Sequence, residues 1–90
     1  MDTIVKIYKG VKLELNDAVS RAMGERKYIV VCGNKRFPFN TIQNFKDAVN
    51  GESGIVGVSL HCSYKENGEW GSIPIENFRE FVLSNVSNNN

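Results

Sequence analysis

The chain has 90 residues, 41% hydrophobic and 10% aromatic, with two prolines and a formal net charge of +1. That length allows one domain around one core, and the apolar content excludes an intrinsically disordered chain. A charge so near balance excludes the basic excess of a dedicated duplex-DNA binder and the acidic excess of a nucleic-acid mimic. The charge is nonetheless uneven. Residues 1–45 hold eight Lys or Arg against four Asp or Glu, and residues 46–90 hold three against six, so the halves carry +4 and −3.

Three times along the chain an alternating apolar run, a turn and a second run precede a helical pattern. Ile4 to Tyr8 and Val11 to Leu15 flank Lys9-Gly10, with Val11, Leu13 and Leu15 on one side of a strand and Lys12 and Glu14 on the other. Leu15, Ala18, Val19, Ala22 and Met23 then recur at helical spacing, with Asn16 placed to cap and Gly24 to stop. The second unit runs from Tyr28 to Cys32, turns at Gly33-Asn34 and returns through Lys35 to Phe39. Pro38 cannot donate to a ladder, so this return strand is expected to lie at an edge or to finish there. Asn40 or Thr41 can cap the following helix, whose buried stripe is Ile42, Phe45, Ala48 and Val49, and Asn50-Gly51 ends it.

The third unit predicts the longest strand, Ile55 to Tyr64, with Val56, Val58, Leu60, Cys62 and Tyr64 on its core face. Asn67-Gly68 makes the turn, Trp70 and Ile73 lie in the return strand, and Pro74 suits the first position of a last helix striped by Ile75, Phe78, Phe81 and Val82. The fold class expected is α+β: an antiparallel sheet built from up to three hairpin-helix (ββα) units, with helices packed on one face. One domain over residues 1–84 and a polar, disordered tail over 85–90 complete the expected organisation. An octet repeats within it. Ile42-Gln43-Asn44-Phe45-Lys46-Asp47-Ala48-Val49 matches Ile75-Glu76-Asn77-Phe78-Arg79-Glu80-Phe81-Val82 with four identities and three like-for-like exchanges. Both octets fall where a helix is expected, so the repeat speaks of architecture.

The pattern holds no export leader and no apolar stretch near the ~20 residues that span a bilayer, which predicts a cytoplasmic protein with Cys32 and Cys62 reduced and buried. The Asn85-Val86-Ser87 sequon then has no glycosyltransferase to meet. His61 is the single histidine, and although Cys62 adjoins it, neighbours on a strand point to opposite faces, so no nucleophilic pair is expected. Two cysteines without further ligands are too few for zinc. Glu66 with Glu69, and Glu76 with Glu80, read as solvated carboxylates rather than an acid-base pair. Gly51, Gly54 and Gly57 lack the Lys-Ser/Thr of a phosphate loop. No metal or cofactor is expected, and the polar row Ser59, His61 and Ser63 is the only place where an enzyme would be sought.

With chemistry absent from the pattern, a small non-enzymatic protein acting by protein-protein interaction leads the ranking. An analogy of size and style puts it among phage or mobile-element inhibitors of a host enzyme or defence system. The expected contact surface is the last hairpin and helix: Tyr64, Lys65, Glu66, Glu69 and Trp70, with Glu76 and Glu80. Trp70 could instead pack on the last helix through Phe78 and Phe81. Edge pairing by Lys35 to Phe39 offers a second contact mode or a homodimer as against a monomer. The alternative is single-stranded nucleic-acid binding by the basic first half through Arg21, Arg26, Lys27, Lys35 and Arg36, with Tyr8, Tyr28, Phe37 and Phe39 nearby. A weaker alternative is sequestration of a small anionic ligand such as a nucleotide between protomers, at basic residues and helix N-termini.

Overall fold

A computed structural model describes residues 4–16, 22, 26–52 and 60–88. Three tight turns set the sheet. Asn67 and Gly68 both adopt positive φ, +52° and +85°, the geometry a two-residue hairpin needs and one that Asn and Gly enter at least cost. Strands β1 (Ile4–Tyr8) and β2 (Val11–Leu15), β3 (Tyr28–Cys32) and β4 (Lys35–Phe39), and β5 (His61–Glu66) and β6 (Glu69–Pro74) form the three hairpins. They join into one six-stranded antiparallel sheet in the order β1-β2-β3-β4-β5-β6. With helices α1 (Ile42–Val49) and α2 (Phe78–Asn88), the described residues make an α+β fold.

The two octets fold differently at their starts. In α1 the Thr41 hydroxyl accepts the Asn44 N–H at 3.0 Å and the whole octet is α-helical. In the second copy Ile75–Asn77 form a 3₁₀ turn after Pro74, which closes β6 instead of opening a helix, and α2 begins at Phe78. The matched positions Phe45 and Phe78, and Val49 and Val82, are all buried. They join Val11, Leu13, Val30, Cys32, Phe37, Phe39 and Cys62 in a single cluster that defines the inner side of the sheet. Phe37 is its hub, with ring centroids of Tyr64, Phe78 and Phe81 at 5.4, 5.0 and 6.2 Å. Burying one such phenyl stabilises the fold by about 1.5–3 kcal/mol relative to leaving it in water.

Several expectations are corrected. Among the described residues the β4 strand is interior, paired to β3 throughout and to β5 through Lys35↔Glu66 and Arg36↔Lys65, and the edge strands are β1 and β6. The donor missing at Pro38 is accommodated because the registered β4-β5 pairs end at Arg36. Leu60 is 61% exposed, because it sits at a bend before β5, its carbonyl accepting the Ile75 N–H at 2.7 Å. The rest of the strand expected from Ile55, over residues 55–59, lies outside the described residues. So does the first expected helix, apart from Leu15, Asn16 and Ala22. Asn16, expected as a cap, is fully buried: its Nδ2 donates to the Arg26 carbonyl at 2.6 Å and its Oδ1 accepts from Arg36 Nη2 at 3.0 Å.

Candidate functional site

The register fixes which side chains share the outer side of the sheet, away from the buried cluster. Val31 pairs with Arg36, Arg36 with Lys65, and Lys65 with Trp70, so these four stand in one row across β3, β4, β5 and β6. The next pairs along this side are Ile29 with Pro38 and Ser63 with Ser72. Pleat alternation from β3 to β6 places no carboxylate on the outer side, while Glu66 and Glu69, paired with each other, turn inward. Trp70 is 57% exposed, and the Lys65 ammonium lies 5.6 Å from its ring centroid. The outer side is not bare everywhere, since Ile29, Pro38 and Asn16 are buried; the exposed stretch is the row's own end.

The residues expected to form one protein-binding surface are distributed over three places. Lys65 and Trp70 are on the outer side. Tyr64 is half-buried on the inner side against Phe37, so tightly placed that a Cβ built on Gly71 would come within 2.6 Å of its Cζ. Glu66 and Glu69 stand at the inner rim, where they share a hollow of about 310 Å³ with Tyr64, Asn67, Trp70 and Gly71. Glu76 and Glu80 line a different cleft, of about 660 Å³, with Val49, Asn50, Gly51, Arg79 and Leu83 between the two helices. The packing of Trp70 on the last helix is not seen: Phe78 and Phe81 pack on Phe37 instead. Parity explains this, because Ile73 turns inward opposite the buried Cys62, and a residue three positions earlier on the same strand must turn outward.

The basic set is likewise divided. Lys35 points inward, 3.4 Å from a Glu66 carboxylate oxygen and over the rings of Tyr64 and Phe81. Lys27 lies over Tyr28, and Arg26 donates to the Pro38 carbonyl at 3.5 Å. Arg36 alone of the set stands in the outer row, while Arg21 lies outside the described residues. Of the nearby aromatics, Phe37 and Phe39 are core, and Tyr8 is flanked by Lys9 and Lys46 at the α1 end of the molecule.

The side chains with nucleophilic potential are placed apart. Cys62 is buried, and burial pushes its thiol up from 9.0 to about 12, while desolvation also raises Cys32 against a smaller lowering by Lys35. His61, on the neighbouring position of β5, is exposed on the opposite side. Thiolate chemistry at neutral pH is therefore suppressed at both cysteines. Among the described residues, no group of three or more His, Cys, Asp or Glu is placed to hold a metal ion. Nor is any described helix long and apolar enough to cross a membrane.

Sequence reasoning did not find the row itself, which mixes members of two separate candidate sets with Val31. Its signal was the turn chemistry: once Gly33-Asn34 and Asn67-Gly68 fix two-residue hairpins, Val31↔Arg36 and Lys65↔Trp70 follow by counting. The link between the hairpins, Arg36↔Lys65, is tertiary. No protein family, curated protein or solved structure matches this chain.

Proposed function

We propose that this chain is a non-enzymatic binding protein that holds another macromolecule against the outer side of its sheet, with Trp70 as the anchor. The observation that carries this reading is the 57% exposure of Trp70, a residue type that dominates contact energetics where it is displayed at a surface. An indole left in water gains from being covered, and Lys65 beside it adds a cation to the contact. The buried, high-pKa thiol of Cys62 and its separation from His61 favour binding over catalysis. In this reading the scaffold is a set of hairpin-helix units whose helices pack on the inner side and leave the row to the partner. A protein partner is the leading class from composition alone.

The test is affinity capture with immobilised wild-type protein from a lysate of the organism that carries the gene. Trp70→Ala is expected to lose the captured species. Glu76→Lys with Glu80→Lys, in the cleft between the helices, is expected to keep it. Loss in the helix variant with retention in Trp70→Ala would move the contact surface to the other side of the molecule and end the proposal.

A further inference from the structure

The two edges of the sheet are matched to each other. Among the described residues the sheet is bounded by β1 and β6, and its five antiparallel pairings leave these two strands running in opposite directions. A second copy shifted along the sheet therefore sets its β1 beside β6 of the first in the antiparallel sense, with inner and outer sides continuing in step. The side chains displayed at the edges select a register. Ile7 stands on the outer side, paired with Lys12, and it is 57% exposed, as is Trp70 on the outer side of β6. Ile7 opposite Trp70 is a cross-strand pair of a β-branched and an aromatic residue, a stabilising combination. Counting from that pair puts Lys6 opposite Gly71 and Tyr8 opposite Glu69. All four belong to the inner side, because Lys6 and Tyr8 pair with the buried Leu13 and Val11, and Gly71 and Glu69 pair with Tyr64 and Glu66.

We infer that this chain associates with itself head to tail, Lys6 to Tyr8 of one copy adding a strand to Glu69 to Gly71 of the next. The inference deepens the reading above, the second copy being the macromolecule that Trp70 holds. Charge agrees with the register. Gly71 has no side chain, so Lys6 of the neighbour enters the hollow of about 310 Å³ beside it, which Tyr64, Glu66 and Glu69 line. An ammonium suits that lining: Lys35 already lies over the Tyr64 ring and 3.4 Å from a Glu66 carboxylate oxygen. Glu69 has no ion pair among the described residues. In this register it meets Tyr8 of the neighbour, whose ring has the Lys9 and Lys46 ammonium groups at 5.5 and 5.2 Å.

The symmetric alternatives fit less well. Two β1 edges set lysine-bearing strands against each other, and two β6 edges set Glu69 against its copy and include Pro74, which has no N–H to give. The register irregularity between Ile4 and Lys6 bends the start of β1 and confines the pairing to the stretch after it. Because the contact joins two different edges, each docked pair still presents one β1 and one β6, and the assembly grows past two copies.

Trp70 is the one tryptophan in the chain, and within one copy Ile7 lies five strand spacings from it, about 24 Å. An effect of Ile7 on Trp70 emission therefore passes through a neighbouring copy. The experiment is sedimentation velocity of the full chain from micromolar to millimolar concentration at low salt, with Trp70 emission read on the same samples. Species larger than a dimer and a blue shift are expected as concentration rises, both receding as salt is added. Ile7→Ser and Trp70→Ala, at exposed positions where melting should hold, are each expected to associate at least about tenfold more weakly, and Ile7→Ser also to lose the blue shift. An equimolar mixture of the two variants restores one wild-type contact per pair and is expected to give one-to-one dimers that grow no further. Persistence of wild-type association in either variant alone overturns the inference in favour of a symmetric contact, and a mixture that forms no dimer overturns it outright. A wild-type chain that stays monomeric throughout overturns it while leaving intact the capture of a different macromolecule through Trp70; only if that capture also withstands Trp70→Ala does the reading above fall with it.

Discussion

The two sides of this sheet use the same strands for opposite ends. The inner side gathers Val11, Leu13, Phe37, Phe45 and Phe78 at essentially zero exposure, and its charged rim is internally matched, Lys35 to Glu66. The outer side leaves Trp70 in water with the Lys65 ammonium over its ring. Single residues separate the two: Tyr64 is packed and Lys65 is displayed, Cys62 is buried and His61 exposed. Packed and displayed side chains thus occupy alternate positions of the same hairpin, and they can be altered independently.

The strongest way to break that separation is Phe37→Ala. Removing the hub ring leaves Tyr64, Phe78 and Phe81 facing a cavity, with an expected loss of about 3–5 kcal/mol in urea unfolding. A loss under about 1 kcal/mol would mean the inner side is not the core. Gly71→Ala follows. Its Cβ would meet Tyr64 Cζ at 2.6 Å and Oη at 2.7 Å, and overpacking of this kind costs about 1–3 kcal/mol. The cost should vanish in a Tyr64→Ala background, and a double-mutant cycle without coupling would contradict the contact. Thr41→Ala removes the hydroxyl that accepts from Asn44 and is expected to cost about 1 kcal/mol, read as a lowered melting midpoint. The smallest effect sharpens the comparison most. Trp70→Ala should move stability by no more than about 0.5 kcal/mol, because an exposed side chain has little native packing to lose. A drop of several kcal/mol would show that Trp70 belongs to the core.

Much of the scaffold was legible because it rests on local chemistry. Alternation located the five strands apart from β5, and the Asn67-Gly68 turn located the last hairpin. The stripe Phe45, Ala48 and Val49 correctly marked the buried side of α1. The failures were of another kind. Alternation alone extended the β5 strand through Leu60, and only the Ile75 N–H bonded to its carbonyl places a bend there. The missing donor of Pro38 pointed to a strand at an edge or finishing there; the strand is interior, and it is the β4-β5 ladder that stops short of Pro38. The residues of each candidate surface lie apart in the structure because they were grouped by closeness in sequence. On a strand, closeness in sequence means opposite sides, and Arg36 reaches Trp70's row through a pairing of two hairpins that no local pattern encodes. Asn16 shows the same limit: nothing in its neighbours announces that its carboxamide will be buried against Arg36.

The unbroken strand order also governs how the molecule comes into being. Each strand pairs with its neighbour in sequence, so the sheet can lengthen hairpin by hairpin with small loop-closure costs and without waiting for a crossover, a topology associated with rapid folding. The inner side is a different matter, because Phe78 and Val82 follow every strand in the chain. During synthesis the sheet can therefore be drawn before its core can be closed. Until α2 is made, Phe37 and Phe39 lack the Phe78 ring that packs on both of them in the folded chain.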